Sequence, residues 1–473
     1  MSHGPKGYPI MRNFLRRIPR SPFSLLYDEA RLPKDIRRSL NLIVMGNLCG
    51  GLFGAICGCG TSAMIGLVNE LHADDLAFGV INGIPQVAAL LQIPFSMLVN
   101  RTHHRKKYML TYGMLSRAIW LIFGFIPLIV PTSPAGLQLW TLIFLLGLSS
   151  CGGAIINVCW LPWFSDLAPI SIRGRWMSIR DTITAITGLL FGFLVARLLD
   201  TLPAENRYII IFIIGSIFGM IDMLCFGFCT EKYSTPPQRL HFSAVMKDIA
   251  KNKPFRNLLI MWTAWCFASN LCGPFLSRYS VNVLGLTFTQ LMLFGTVASS
   301  VATVLVMTRW GKAANNYGCR SVMLVCAITA PLMDGFYIMA RPGGAWAILL
   351  RNFLGAMFWS GCNLASSTMQ LSTSSDEIKS SYIAVFSCIT SLVGGAGGTL
   401  VGGFLLDSME GLTLSFAGMD RYKVMILLSI VLRLLVAFLL VRSLENDRDG
   451  TPGQMVSAII HGFHLPSLRR RRS

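Results

Sequence analysis

Apolar residues in this chain run on in long blocks and do not alternate with polar ones. Residues 40–69, 76–100, 118–165, 279–308, 352–375 and 380–406 contain no Asp, Glu, Lys or Arg. The block 118–165 is too long for one element and breaks at Pro131-Thr132-Ser133-Pro134, a turn signal. Divided at such breaks and at charge clusters, the chain predicts twelve segments: 40–67, 76–99, 108–130, 136–165, 177–199, 208–229, 257–281, 287–308, 321–340, 345–371, 380–406 and 422–441. A helix needs ~20 residues to cross the hydrocarbon core of a bilayer. Backbone groups in lipid must bond within their own segment, and these runs lack the alternation of barrel strands, so helices are expected. The longest interior polar stretch, 230–256, divides the segments into two sets of six. The expected organisation is a basic N-terminal piece (1–39), a first lobe (40–229), an interlobe loop (230–256), a second lobe (257–441) and a basic tail (442–473). Within the loop, residues 242–251 predict a short amphipathic helix.

Composition agrees with this pattern. Apolar residues make up 53% of the 473 and charged residues 13%, half the ~25% of a soluble domain. That excludes an ordinary soluble enzyme. The net charge of +19 allows a nucleic-acid partner until the charges are placed. Of the 41 Lys and Arg, 32 fall at one set of segment ends and six at the other. This is the positive-inside bias of a multi-pass protein with both termini cytoplasmic, and the cell membrane is its expected location. Its basic loops and tail, ending in Arg469–Arg472, face anionic lipid headgroups, and nucleic acid is not a partner. The 13 cysteines are scattered without metal-ligand spacing and read as small apolar residues. No metal, cofactor or phosphate-binding loop is expected, and the chain is expected to act as a monomer.

The two halves echo each other. Residues 311–320, Gly-Lys-Ala-Ala-Asn-Asn-Tyr-Gly-Cys-Arg, follow the eighth segment; a basic stretch with Asn100, Arg101, Arg105 and Lys106 follows the second. Asn157 precedes Trp176 by 19 residues, as Asn363 precedes Tyr382. These features resemble the major facilitator superfamily over residues 35–442. Its signature between the second and third helices, Gly-x3-Asp-Arg-x-Gly-Arg-Lys/Arg, is matched at Gly311, Gly318 and Arg320, with Asn315 at the acidic position. The first-half copy keeps Arg101, Arg105 and Lys106, with Asn100 at that position. Asp166, Arg173, Arg175, Arg180 and Asp181 resemble the family's loop between the fourth and fifth helices. The resemblance implies a two-lobed transporter whose first, fourth, seventh and tenth helices line the cavity, with these loop residues as gating elements. The plainer reading of the loop charges is topology alone.

On the implied cavity helices, Asn47, Gly51, Gly54, Gly58 and Ser62 share a face of the first. Asn157, Trp160 and Phe164 share one on the fourth, and Trp262, Trp265 and Ser269 one on the seventh. Asn352, Trp359 and Asn363 share one on the tenth, with Arg351 beside them. Amides and indoles in this arrangement suit a sugar or similar polar metabolite. Efflux of amphiphiles or organic anions is the rival, the latter through Arg351. A transport-inactive sensor or scaffold is the rival outside transport. Charges within segments are costly: Arg117, Asp222, Asp334 and Arg433 fall on the third, sixth, ninth and twelfth. Asp334 and Arg351 flank the turn at Arg341-Pro342 at similar depth, which predicts an ion pair. Ion coupling would use a peripheral acid, Asp222 or Asp334. The stripe Gly394, Gly398 and Gly402, with Gly188 and Gly192 as first-half counterparts, is expected to make the tight contact between lobes.

Overall fold

A computed structural model describes residues 32–102, 104–131, 136–203, 206–230, 242–374, 379–409 and 419–444. Residues 1–31 of the basic N-terminal piece and the tail arginines lie outside these residues. No strand occurs among the described residues.

Helices occupy all the expected segments. The first lobe contains α1 (Lys34–Ile56, continued by Ser62–Glu70), α2 (Asp75–Ala88, continued by Gln92–Thr102), α3 (Arg105–Phe123), α4 (Leu137–Leu167), α5 (Ile170–Thr201) and α6 (Arg207–Gly227). In the second lobe, α7 is Lys253–Asn270 continued by Phe275–Asn282, and α8 runs from Phe288–Leu291 through a π-helical stretch, Met292–Val297, into Ala298–Tyr317. Next come α9 (Cys319–Met333) and α10 (Ala345–Thr373). Then α11 runs from Lys379–Ile389 through a second π stretch, Thr390–Gly397, into Gly398–Ser408, and α12 is Arg421–Leu440. Among the described residues, ten helical stretches are long and apolar enough to cross a membrane. α3 and α10 fall short because α3 begins with Arg105, Lys106 and Lys107 and also carries Arg117, while α10 carries Arg351, Asn352 and Asn363 among many Ser and Thr. The interlobe helix spans Phe242–Lys251, as its pattern predicts.

Four local sequences shape the path of the chain. α1 breaks at Cys57-Gly58-Cys59-Gly60-Thr61, where Thr61 caps the outer piece by accepting from the Met64 N–H at 3.3 Å. The face expected to run from Asn47 to Ser62 is therefore not one continuous helix. α7 breaks at the corresponding place, Leu271-Cys272-Gly273-Pro274. The stretch from Asp166 to Trp176, expected as a loop, is helical except at the junction between α4 and α5. There Pro169 excludes the helical conformation for Ala168, which is extended at φ −95°, ψ 124°. Between α8 and α9 a single residue, Gly318, turns the chain at φ +84°, a conformation that favours glycine.

Within the first lobe α6 packs on α1 and α3; within the second, α10 packs on α8 and α9. The lobes meet along α2 with α11 and along α5 with α8, two pairs that the six-helix repeat exchanges. One apolar cluster, including Phe78, Phe275, Tyr279 and Tyr422, crosses between the lobes at the end that the charge distribution places outside. Toward the other end each lobe has its own core: Trp163, Trp176 and Phe226 in the first, Phe255, Trp265 and Tyr382 in the second.

The glycines of α11 divide between two partners. Gly394, Gly398 and Gly402 face α7 in their own lobe: a Cβ at Gly398 would stand 2.6 Å from the Phe267 carbonyl oxygen. The expected lobe-to-lobe role belongs instead to the neighbouring face. A Cβ at Gly403 would meet the Asp75 carbonyl at 2.7 Å, and one at Gly79 the Thr399 carbonyl at 2.6 Å. Of the first-half pair, Gly192 does meet the other lobe, at Met292, while Gly188 has open space beside it.

Candidate functional site

A cavity of about 730 Å³ lies between the lobes. Its wall is built from glycines of α1 and α5 (Gly50, Gly51, Gly54, Gly188), hydroxyls (Thr61, Ser62, Thr184, Thr296, Ser299), Tyr337, Arg351 and Asn352. Small side chains make the room, and the π stretch at Met292–Val297 turns Gly295 and Thr296 toward it. Such π insertions are frequent at functional sites.

The charged feature of this wall is a triad. Arg351 Nε donates to Asp334 Oδ1 at 2.6 Å, the ion pair expected from the hairpin. Arg433 of α12 pairs with the other oxygen, Oδ2. Arg351 Nη1 donates to Asn352 Oδ1 at 2.7 Å, and the guanidinium lies over the Tyr337 ring, 5.4 Å from its centroid. Asp334 and Arg433 are buried, whereas the Arg351 side chain keeps 25% of its surface exposed. Two guanidiniums and one carboxylate leave one positive charge in excess, presented at Arg351. The two bonds of Arg351 leave Nη2 for a further acceptor.

Gly51, Gly54 and Ser62 of the expected α1 face line this cavity, but none of the other amides or tryptophans expected to contact solute does. Asn47 donates to the Ile43 carbonyl at 2.8 Å. Asn157 and Asn363 are exposed. Trp160 stacks on Phe164 and lies under the Arg180 guanidinium at 4.9 Å. Trp262 and Trp265 are buried and stacked, and Trp359 lies on Trp265 with centroids 4.8 Å apart. Among the expected gating residues, Lys106 Nζ donates to the Cys229 carbonyl at 2.8 Å, tying α3 to the end of α6. Arg105 is buried, Arg180 pairs with its neighbour Asp181 at 3.5 Å, Gly311 and Asn315 lie on α8, and Arg320 opens α9. The side chains of Asn100, Arg101, Asp166, Arg173 and Arg175 lie outside the described set.

Sequence reading missed the contacts that join the lobes at the end where α2 and α8 begin. Asp407, near the end of α11, accepts from the N–H groups of Asp75 (3.0 Å) and Leu76 (2.9 Å) at the start of α2. Asp200, near the end of α5, accepts from those of Phe288 (3.1 Å) and Thr289 (2.8 Å) at the start of α8. Both carboxylates sit on helix N-termini, where free N–H groups and the helix dipole favour an anion. Asp75 is buried and pairs with Arg278 at 3.0 Å and Arg421 at 3.1 Å, while the Tyr422 hydroxyl donates to it at 3.0 Å. Asn69 and Asn282, at the ends of α1 and α7, exchange amide hydrogen bonds of 2.8 and 3.3 Å. The available signal was a repeat, Leu198-Leu199-Asp200-Thr201 against Leu405-Leu406-Asp407-Ser408.

The chain matches the sequence model of the Major Facilitator Superfamily over residues 46–309, more than half its length, and it belongs to that superfamily. It is an integral, multi-pass membrane protein. No curated protein sequence matches it. Among solved structures it resembles an inward-facing, unoccupied bacterial homologue of the human lysosomal transporter Spinster (13% identity, 88% of this chain and 100% of that one, TM-score 0.63). It also resembles the nucleoside transporter NupG (14%, 87% and 99%, 0.61). A third is the inward-open xylose transporter XylE of E. coli (13%, 88% and 99%, 0.62). At these identities the likeness is one of fold.

Proposed function

We propose that this protein is a secondary transporter that carries a small hydroxylated organic anion, such as an acidic sugar, by alternating access. The observation that carries the reading is the partly exposed Arg351, held by buried Asp334 and Asn352 with one positive charge in excess on the cavity wall. A guanidinium fixed in this way presents a donor to a carboxylate or phosphate at little cost in side-chain entropy. The Ser and Thr hydroxyls around it suit a solute with hydroxyls of its own. Arg351 disfavours cationic amphiphiles, which would meet a like charge in low dielectric. Lobes joined at the outer end, with separate cores at the other, support an arrangement closed outside and open inside. A thermal-shift screen of the purified protein should test the solute class. Sugar acids and sugar phosphates should stabilise it, and their neutral parents should do so at least tenfold more weakly. Stabilisation by neutral sugars alone would reject the anion assignment.

A further inference from the structure

We propose that Asp222 of α6 is a proton-binding site, covered by α1 in the outside-closed arrangement and uncovered when the lobes move. The inference deepens the transport reading by naming the driving ion, and its first test stands apart from that reading.

Asp222 is 6% exposed, and its Oδ1 has no hydrogen-bond partner. An ionised carboxylate left in this way costs several kcal/mol, and such a group takes up a proton or a counter-ion instead. No cation among the described residues forms an ion pair with it. The charged and titratable groups facing it are Arg117 of α3, Arg180 of α5, Cys49 of α1 and Cys225 of its own helix. Arg117 acts on the carboxylate through its charge without bonding it: its guanidinium lies over the Phe53 ring, 3.8 Å from the centroid, and its Nε has no hydrogen-bond partner. Arg180 lies over Trp160 and pairs with Asp181.

What covers the carboxylate is a pair of glycines. A Cβ at Gly46 would stand 2.9 Å from Asp222 Oδ1, and one at Gly50 would stand 2.9 Å from Oδ2. Gly50 also belongs to the cavity wall. The backbone of α1 is thus all that separates the carboxyl group from the cavity at this point. Because α1 is interrupted at Cys57–Thr61, its inner piece can move against α6 independently of its outer piece. A shift there would admit water or Arg117 to Asp222 and release the proton as H⁺, leaving the carboxylate. The reverse shift would require protonation before the glycines could close over it. This ties the protonation state to the position of a cavity helix without an acid in the cavity itself.

The test uses the full-length protein in lipid vesicles, without solute, studied by infrared difference spectroscopy across a pH titration. The proposal predicts a protonated-carboxyl C=O band at neutral pH that shifts in deuterated water and is absent from Asp222→Asn. Asp222→Glu should restore a band at a changed frequency, and it covers the case in which the Asn variant fails to fold. Identical spectra for wild type and Asp222→Asn would overturn the proposal, whatever the transported solute proves to be. As a second arm, a pH gradient should drive accumulation of a sugar acid in wild-type proteoliposomes. Asp222→Asn should lose accumulation while keeping solute exchange at equal pH. Undiminished accumulation by the variant would overturn the coupling role. Absence of all solute movement in the wild type would count against the function proposed above and not against proton binding.

Discussion

Asp407 of α11 holds the N-terminus of α2 across the lobe boundary, its two oxygens accepting from the N–H groups of Asp75 and Leu76. Asp200 does the same for α8 from α5. The repeat exchanges these two contacts, so the outer end is latched twice by the same chemistry. Charge-assisted hydrogen bonds of this kind are worth ~1.5–3 kcal/mol. Removing both, as Asp200→Ala/Asp407→Ala, should shift the lobe equilibrium toward outer opening by about tenfold or more. Spin labels on the outer ends of α2 and α11 would read this as a growing long-distance population. An unchanged distance distribution would show that the latches do not bias the equilibrium.

The mutual amides of Asn69 and Asn282 bring the outer ends of α1 and α7 together. Asn69→Cys/Asn282→Cys should therefore form a disulfide on mild oxidation. The cross-link should arrest solute exchange, and a reductant should restore it. Exchange that continues in the fully cross-linked protein would mean that this end need not open.

The backbones of α2 and α11 approach each other closely at Gly79 and Gly403. A side chain at Gly79 has no room beside the Thr399 carbonyl, and overpacking typically costs ~1–3 kcal/mol. In a cysteine-free background, Gly79→Val should raise labelling of Ser277→Cys, a cavity-wall position, by an impermeant thiol reagent from outside. Equal labelling with and without Gly79→Val would reject the assignment of this contact to the outer closure.

Asp334 pairs with two guanidiniums inside the membrane, one on each oxygen. Breaking a buried pair by removing one partner costs ~3–5 kcal/mol, since it strands the other charge. Asp334→Asn should lower the thermal stability of the detergent-purified protein markedly, and Arg433→Met added to it should recover part of the loss. A variant as stable as wild type would show that the triad is not structural.

Much of this was legible in the chain, and the reasons for the rest are physical. Uncharged runs near twenty residues mark spans because lipid admits little else, and Asp334 and Arg351 could be paired because a short turn sets their depth. The interlobe helix at Phe242–Lys251 showed in its amphipathic pattern. The two latches did not show, because an acidic residue at a helix end reads first as topology, and its partner is a backbone N–H on a distant helix. The glycines of α11 revealed close packing but not which face met which neighbour. In a membrane, lipid-facing, lobe-facing and core-facing residues are all apolar or small. The break in α1 was signalled by Cys57-Gly58-Cys59-Gly60, yet glycine in a membrane helix serves packing as often as bending.

The central claim is transport of an anion held by Arg351, and counterflow in proteoliposomes tests it most directly. Vesicles preloaded with a sugar acid that stabilises the protein should take up the labelled compound. Arg351→Gln should lower that uptake by at least tenfold at sub-saturating concentration while leaving the protein folded. Equal uptake by Arg351→Gln, or uptake confined to neutral or cationic solutes, would contradict the account.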